Sequence, residues 1–457
     1  MIDSVRSAFS LPDLRRRILL TIFLLVVYRL VANIPVPGVN LEAWLAFTSE
    51  TAAGDNQVIY FLDFLSGGAV RNFSVMAMGV YPYITASIII QLLTPIIPQF
   101  SELASEGESG RNKLNRYTYY MTVPLALLQA IGQINLIGLS SAAGLAAIMP
   151  NFGFELGQIL PTLTTLAAML GGTMFAIWLG EMITEDGIGQ GISLIIFGGI
   201  VSGILPNVAR MFAMTDMAAK IFTIVAFVII TLLTIFVIVV IQEGQRRIPV
   251  QYGRRVRGRK VYQGQSSYVP LKVNTAGMIP IIFAQSIMTL PPLLAGLFVT
   301  QSGGTVDKIA QTIASFGTTQ DPTLHPWSFA LYWVFFFLLV VGFTFFYTDV
   351  MVQQQNIPQS LQRQGGFIPG IRPGKRTADY IMAVVRRITF AGAVFLGIIA
   401  VMPGIMQAFG VLLNLPGIEQ SVLVVSGSGL IIVVGVVIDT MRQLEAQLLM
   451  RNYEGFI

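Results

Sequence analysis

The residue types that most often carry out chemistry are nearly absent from this sequence. Its 457 residues include no cysteine and one histidine, His325, which excludes a thiolate nucleophile, a disulfide framework, a cysteine-bound metal and any site that needs two imidazoles. The glycine-rich stretch before Arg376 fails as a phosphate loop, because Pro369 replaces its first glycine and Arg376 replaces its serine or threonine. An enzyme within a membrane would need paired aspartates or a His/Glu site, but Asp349 and Asp439 fall at the ends of apolar runs and His325 falls in a loop between two of them. We therefore predict no catalytic residue, no metal and no cofactor, and a protein that is not an enzyme.

The elements that hold the remaining residues are predicted to cross a membrane. Hydrophobic residues make up 54% of the chain and charged residues 11%, whereas a soluble domain carries roughly 25% charged residues. A helix needs about 20 apolar residues to cross a bilayer, and we find ten apolar runs, at 18–34, 73–97, 117–139, 160–179, 188–205, 221–241, 276–299, 329–347, 380–402 and 422–438. The predicted fold class is an all-α polytopic membrane protein with ten transmembrane helices.

The basic residues predict the orientation of these spans. With the N-terminus in the cytoplasm, 23 of the 28 Lys and Arg residues fall in cytoplasmic segments, and four fall on the outer side: Arg71, Arg210, Lys220 and Lys308. This bias is typical of the positive-inside rule. An error in the number of spans would invert every later loop, so both termini are predicted to be cytoplasmic. Arg29 lies within the first span, and we expect its side chain to extend outward.

The second and seventh spans share a sequence pattern. Residues 79–86 (GVYPYITA) and 277–284 (GMIPIIFA) carry Gly, Pro, Ile and Ala at the same offsets. Each span is the second of five, and the two cross the membrane in opposite directions, as in transport proteins built from inverted repeats. Chance similarity between apolar helices is the alternative. We predict two inverted five-helix halves, 1–210 and 211–457.

The spans lack the ionisable groups that an ion-coupled transporter needs at mid-membrane depth. Asp349 and Asp439 fall at cytoplasmic ends, so ion-coupled transport is weakly supported. Branched aliphatic residues instead share a helix face at i, i+4 spacing in two pairs: Val80 with Ile84, and Ile192 with Ile196. Such pairs usually face lipid or a neighbouring helix, and they can also form a hydrophobic constriction that gates a pore.

A short amphipathic segment, residues 59–72, lies between the first two spans and contains Gly67-Gly68. It is too short to cross a bilayer. An interfacial helix, a re-entrant segment and a movable stopper all fit its length. The pattern alone favours the interfacial helix.

Two cytoplasmic loops carry much of the positive charge. Loop 242–273 holds eight Lys and Arg residues and two stretches of alternating apolar residues, which predict a β-ribbon. Loop 353–376 is the second. The positive-inside rule needs only a few basic residues in each loop, so eight favour an anionic partner such as RNA phosphates, an acidic protein or lipid headgroups. Topology alone is the alternative.

Nine motifs follow one another along the chain: IPVPG (34–38), SGGA (66–69), PYITASIIIQLL (82–93), EGESGR (106–111), WLGE (178–181), GIGQGIS (187–193), QRRI (245–248), LKVN (271–274) and FIPGIRPG (367–374). In this order the sequence resembles, over essentially its whole length, the SecY family of large subunits of bacterial protein-conducting channels. The resemblance implies a clam-shell of two five-helix halves, which agrees with the repeat.

The resemblance also implies the site residues. It implies a pore ring at Val80, Ile84, Ile192, Ile196, Ile282 and Ile432. Residues 61–72 become a plug that closes the outer funnel, with Phe61, Leu62, Phe64, Leu65, Ser66, Gly67, Gly68 and Arg71 as its main residues. A lateral gate has spans two and three on one side and spans seven and eight on the other, and Thr85 and Gln129 line it. Partner docking falls to Arg255, Arg257, Arg259, Arg372, Lys375 and Arg376.

By the same resemblance we expect a passive channel in the bacterial inner (plasma) membrane. Unfolded secretory polypeptides would pass through it, and hydrophobic segments would leave sideways into lipid. The expected partners are the small membrane subunits SecE and SecG, the SecA motor ATPase, the ribosome, signal peptides and nascent secretory or membrane proteins, and anionic lipids. Val80 departs from the isoleucine frequent in the family, and the sequence around Asp63 is not a close match. Composition alone leaves a pore-free lipid-binding scaffold as a rival, which only the resemblance excludes.

Overall fold

A computed structural model of the chain describes residues 9, 11–51, 63, 66, 68–140, 144–153, 155, 157–213, 217–252, 255–257, 260–262, 266–298, 305–316, 326–355, 357–412 and 427–454. Helices dominate this part of the chain. They are α1 (Pro12–Val31), α2 (Leu41–Thr51), α3 (Tyr81–Leu93), α4 (Pro98–Ser105), α5 (Glu108–Ser140), α6 (Leu145–Ile148), α7 (Ile159–Asp186), α8 (Gly191–Ala213), α9 (Met217–Glu243), α10 (Ile279–Gly296), α11 (Thr305–Phe316), α12 (Pro326–Gln355), α13 (Ile357–Arg363), α14 (Lys375–Leu412) and α15 (Gly427–Glu454), with a 3-10 turn at Val70–Asn72.

Each of the ten predicted apolar runs overlaps one of these helices. Among the described residues, α5, α7, α10, α12 and α14 are long and apolar enough to cross a membrane. Helices α3 and α4 add a sixth candidate if this pair, bent by 100°, counts as one span, and α8 and α9 contain shorter apolar stretches. The chain is a helical, multi-pass membrane protein, as predicted, and the number of ten spans stays a prediction.

The second predicted run was wrong at its boundary, because residues 73–80 are not helical. Gly79 has a φ of +50°, and α3 begins at Tyr81 with Pro82 in its first turn. In the seventh run, Gly277 has a φ of +65°, and α10 likewise begins two residues later, with a proline in its first turn. A positive φ interrupts a helix, and proline fits the first turn of the next one. The shared geometry supports the predicted repeat.

One large hydrophobic cluster forms the centre of the molecule. It draws buried side chains from α1, α2, α3, α5, α7, α8, α9, α10, α12, α14 and α15. Its fully buried large side chains include Trp44, Phe73 and Tyr81. Both predicted halves therefore contribute to the same core.

The two predicted cytoplasmic loops meet in one small sheet. Its strands are β1 (Gln245–Tyr252), β4 (Ser266–Lys272) and β5 (Gly366–Phe367), in the order β4-β1-β5 and all antiparallel, and β2 (Arg255–Arg257) and β3 (Lys260–Tyr262) form a separate pair. The ribbon predicted in loop 242–273 is confirmed. The pairing of β5 with β1 was not predicted, and it joins the two loops.

This three-stranded unit, which we call the loop sheet, has its own hydrophobic core. The core contains side chains from β1 and β4, from α12, α13 and α14, and from the residue that follows β5: Ile248, Val250, Leu271, Val352, Leu361, Ile368, Ile381 and Val385. The loop sheet is therefore packed onto the ends of helices that continue into the membrane-crossing part.

Candidate conduction pathway

The six residues predicted for the pore ring lie in or against the central cluster. Val80, Ile84, Ile196, Ile282 and Ile432 are buried, and Ile192 is partly buried and packs against the same cluster. Ile84 and Ile282 are each the fourth residue of their helix, α3 and α10, so the two interrupted helices bring aliphatic side chains to corresponding places. Because the cluster holds many other side chains, burial does not single out these six, and the ring stays a prediction.

A buried hydrogen-bond network, which we call the gate network, joins α3, α5 and α10. Gln129 Nε2 donates to Thr85 Oγ1 at 3.2 Å, so the two residues predicted for the lateral gate lie together. The Tyr81 hydroxyl lies 3.0 Å from Thr289 Oγ1 and donates to the Ser286 carbonyl oxygen at 3.2 Å. Sequence reasoning missed Tyr81 and Thr289, although hydroxyl residues in otherwise apolar spans were a signal.

Two amides of α5 beside this network are not fully paired. Gln133 is 1% exposed, and neither its amide nitrogen nor its amide oxygen has a hydrogen-bond partner among the described residues. The Oε1 atom of Gln129 is also buried without a partner there. A buried polar group without a partner costs about 1–3 kcal/mol. The contact between these helices therefore contains buried amide groups, and a molecule that forms hydrogen bonds with them would stabilise them.

Helices α5 and α10 cross at a very short backbone distance. A Cβ atom on Gly132 would lie 2.2 Å from the carbonyl oxygen of Leu293, and one on Gly296 would lie 2.9 Å from the carbonyl oxygen of Gly132. Asn135 Nδ2 donates to the Gly296 carbonyl oxygen at 2.9 Å. Small residues permit such close helix contacts in membranes. Neither glycine was predicted as a contact residue.

The described part of the predicted plug is buried among the helices. Asp63 is 9% exposed, and Ser66 and Ala69 are both 0% exposed. Arg71 and Asn72 are half-buried, so the burial of the other described residues supports a position among the helices, while the choice between an interfacial helix, a re-entrant segment and a movable stopper stays a prediction. Five of the predicted plug residues lie outside the described residues: Phe61, Leu62, Phe64, Leu65 and Gly67.

An ion pair and contacts from α1 and α2 hold this segment. Arg71 Nε lies 2.8 Å from Asp63 Oδ2, and the Arg71 backbone N–H donates to Asp63 Oδ1 at 3.2 Å. Trp44 Nε1 donates to the Arg71 carbonyl oxygen at 2.8 Å. The Tyr28 hydroxyl donates to the carbonyl oxygen of Ser66. The segment is thus fixed at several points along its described length.

The sequence analysis did not predict that the carboxylate of Asp63 is buried. Asp63 is a deeply placed carboxylate, and burial raises the pKa of its carboxyl group above the ordinary value while the positive charges of Arg71 and Arg29 oppose that shift. The guanidinium of Arg29 lies against the plug segment, since a Cβ atom on Gly68 would be 2.9 Å from Arg29 Nη1. The expectation that the Arg29 side chain extends toward the outer side of the membrane stays a prediction, and the structure adds its contact with the predicted plug.

The predicted docking residues are only partly described. At the start of α14, beside the loop sheet, three of them are exposed: Arg372, Lys375 and Arg376. In the other loop, Arg255 and Arg257 are the ends of β2, and Arg259 lies outside the described residues. The docking itself stays a prediction.

Known proteins resemble this chain in both sequence and structure. A profile of the SecY family matches residues 74–441. The protein translocase subunit SecY of Halalkalibacterium halodurans is 41% identical over 465 residues that cover 100% of both chains. The protein translocase subunit SecY of Thermotoga maritima is 39% identical over 463 residues, covering 100% of this chain and 98% of its own.

Solved structures agree at the level of the fold. A protein-conducting channel matches with a TM-score of 0.62 and 18% identity, covering 94% of this chain and 92% of its own. Sec61 from a canine ribosome–channel complex of the endoplasmic reticulum matches with a TM-score of 0.59 and the same coverage. The family profile and the full-length relatives together establish that this chain belongs to the SecY family.

Proposed function

We propose that the chain is the pore-forming subunit of a protein-conducting channel. It passes unfolded secretory polypeptides across the membrane and releases hydrophobic segments sideways into lipid. The observation that carries this proposal is the 41% identity, over the full length of both chains, to a protein translocase subunit. The energy for movement comes from a docked ribosome or the SecA ATPase, so the chain itself performs no catalysis.

The proposed architecture has ten spans in two inverted halves, 1–210 and 211–457, arranged as a clam-shell. Both termini lie in the cytoplasm, and the membrane is the bacterial inner membrane. The excess of basic residues in alternate loops supports the orientation. The matching helix starts after Gly79 and Gly277 support the inversion.

The proposed pore ring consists of Val80, Ile84, Ile192, Ile196, Ile282 and Ile432. Aliphatic side chains attract a passing chain only through weak, non-directional dispersion contacts. No hydrogen bond must then break for the polypeptide to advance, and the narrow apolar ring excludes water when it is empty. Residues 61–72 form the plug in this proposal, and the Asp63–Arg71 ion pair supports its closed position.

The proposed lateral gate lies between spans two and three (α3 and α5) and spans seven and eight (α10 and α12), and it includes the contact between α3, α5 and α10. An apolar segment gains about 25 cal/mol for each Å² transferred from water into lipid, so a sufficiently hydrophobic segment leaves through an opening between these helices. The unpaired amides of Gln129 and Gln133 support this assignment, because the backbone of an entering peptide can supply their missing partners.

The loop sheet and its basic neighbours form the proposed docking surface for SecA or the ribosome. The exposed side chains of Arg372, Lys375 and Arg376 suit RNA phosphates or an acidic protein surface. SecE and SecG are the proposed companion subunits, signal peptides and nascent chains the clients, and anionic lipids the surrounding partners. These assignments rest on the family resemblance.

The absence of cysteine makes a direct test simple. Single cysteines are introduced at Ile84, Ile196 and Ile282, and another is placed in a secretory protein that is arrested part-way across the membrane. We expect disulfides at all three positions and none at Ile398, which is 51% exposed on α14. An arrested, membrane-bound client that forms no disulfide with any of the three would contradict a polypeptide conduit lined by this ring.

A further inference from the structure

Helix α11 (Thr305–Phe316) has no role in the proposed channel, and its surface divides into distinct sectors. Ala310 and Ala314 are 5% and 4% exposed and pack against Ala295 of α10. Ile309 and Ile313 are 62% and 41% exposed. Since an α-helix turns 100° per residue, the two isoleucines form a stripe beside the alanine contact. Helix α11 is therefore attached to α10 by one sector and leaves an adjacent apolar sector uncovered.

The remaining surface of α11 is polar. Lys308, Gln311 and Thr312 are exposed, and the helical repeat places them on the side away from both the isoleucine stripe and the alanine contact. Water or lipid headgroups suit these three side chains. A helix with a basic, polar side and an uncovered apolar stripe is typical of segments that lie in the plane of a membrane surface.

The depth of α11 is fixed by its neighbours. Ala295 is next to the last residue of α10, and the chain enters α12 at Pro326, so α11 lies at the same end of both spans. Phe298 lies two residues beyond the end of α10 and is 59% exposed, and Trp327 is 88% exposed at the start of α12. Aromatic side chains at the ends of spans are enriched at the membrane–water boundary. These residues place α11 at that boundary.

We propose that α11 is a bilayer-interface helix whose Ile309 and Ile313 are buried at the boundary between lipid headgroups and acyl chains. Lipid is the occupant favoured by the neighbouring surface, because α12 is the least buried of the five apolar spans found among the described residues. Lys308 then reaches headgroup phosphates from the polar side. The contact of Ala310 and Ala314 with Ala295 ties the end of α10 to this depth.

The consequence for gating rests on the proposed function. If α10 forms one side of the lateral gate, then its end next to α11 is held at a fixed depth, and opening moves the rest of α10 around that point. The lipid contact of α11 itself does not depend on transport. A measurement of lipid contact can therefore fail without affecting the channel proposal, and the crosslinking test above can fail without affecting this one.

The test uses the full, naturally cysteine-free chain in vesicles of phosphatidylethanolamine and phosphatidylglycerol. Single cysteines at Ile309 and Ile313, and matched ones at Lys308 and Gln311, are labelled with an environment-sensitive fluorophore, and lipids that carry a doxyl quencher near the headgroup are added. We expect quenching at the two isoleucine positions to exceed that at the two polar positions at least about twofold.

Three outcomes would overturn the proposal. Equal lipid quenching at all four positions would show that the isoleucine stripe faces lipid no more than the polar side of α11 does. Quenching of Ile309 and Ile313 probes by aqueous iodide, without an effect of doxyl lipid, would place the stripe in water. Emission typical of an apolar site that neither quencher affects would show that protein covers it. A probe at Phe335, which is 48% exposed on α12, reports whether the doxyl lipid reaches the protein.

Discussion

A partly buried ion pair holds a segment in place only while both partners are charged and paired. Asp63 and Arg71 meet through the side chain and the backbone of the arginine, and both lie in the short buried segment that precedes α3. Removing one partner leaves the other charge uncompensated. The pair therefore governs how readily this segment leaves its site.

Replacing Asp63 with asparagine keeps the shape of the side chain and removes its charge. Hydrogen bonds to charged groups contribute about 1.5–3 kcal/mol, so we expect the open population of the channel to rise roughly ten- to a hundredfold. Ion conductance across a planar bilayer measures this rise. The change Glu42→Gln neutralises an exposed acid on α2 and should have no effect. An Asp63→Asn channel as tight as the unmodified one would argue against the plug assignment.

Tyr81 links α3 to α10, whereas Tyr83, two residues on, links α3 to α5. Losing the Tyr81 hydroxyl removes its bonds to Thr289 and Ser286, which costs about 0.5–1.5 kcal/mol. We expect Tyr81→Phe to increase the export of a secretory protein with a weakened signal sequence about two- to tenfold. Tyr83→Phe keeps the ring that packs 5.5 Å from the ring of Tyr119 on α5, takes no part in the hydrogen bonds that this network makes to α10 among the described residues, and should leave export unchanged. Equal effects of the two changes would mean that general destabilisation, and not the gate network, is responsible.

Between elements, we expect the crossing of α5 and α10 to set how tightly the proposed lateral gate closes. Gly132 and Gly296 bring the two backbones into contact, and Asn135 adds a hydrogen bond across the crossing. On α7, by contrast, a methyl group added to the exposed Gly171 would have nothing within 4 Å of it. The two kinds of glycine therefore predict opposite responses to the same substitution.

Gly132→Ala must move α5 and α10 apart by about 1 Å, because its methyl carbon would otherwise overlap the Leu293 carbonyl oxygen. Overpacking of this kind costs about 1–3 kcal/mol, and we expect increased export of proteins with weak signal sequences together with a lower melting temperature. Gly171→Ala should be neutral or stabilising, since alanine favours a helix over glycine by about 1 kcal/mol. Unchanged signal selectivity in Gly132→Ala would contradict a gate at this crossing.

Local sequence patterns predicted the elements better than their contacts. The apolar runs located the helices, and alternation located the ribbon of β1 and β4. Hydropathy does not record the sign of φ, so the late start of α3 was missed although Gly79 and Pro82 mark it. The burial of the plug segment depends on Tyr28 and Trp44, which lie far away in the sequence, and no local pattern encodes such a contact.

Across the whole molecule, both halves share one core while the basic loops share one sheet. Only the family resemblance named both Thr85 and Gln129, and the hydrogen bond between them was not predicted; their place at a lateral gate stays a prediction. The crossing at Gly132 and Gly296 joins distant parts of the chain, so a single sequence gives no signal for it. The pairing of β5 with β1, which joins the two loops, also gave no signal, because a strand of two residues is too short to show an alternating apolar pattern.

The loop sheet predicts that the two proposed docking loops act as one unit. Val250 is 1% exposed in the core that connects β1 with Ile368, which directly follows β5, and with Val385 on α14. Val250→Ser changes no charge, but it loses apolar contacts and buries a hydroxyl group, at a cost of about 1–3 kcal/mol. We expect the affinity for SecA or ribosomes, measured by sedimentation with vesicles, to fall several-fold. Ser267→Ala, at the exposed position paired with Val250, should leave it unchanged.

Salt dependence separates this structural effect from a direct contact. Arg372→Ala removes an exposed positive charge, so ribosome affinity should fall and its dependence on salt concentration should become shallower, since fewer counterions are released on binding. Val250→Ser should lower the affinity while the salt dependence stays as steep as in the unmodified chain, because every charge is retained and only the presentation of the loops has changed. If Arg372→Ala weakens binding and Val250→Ser does not, the loops dock independently, and the pairing of β5 with β1 has no part in recognition.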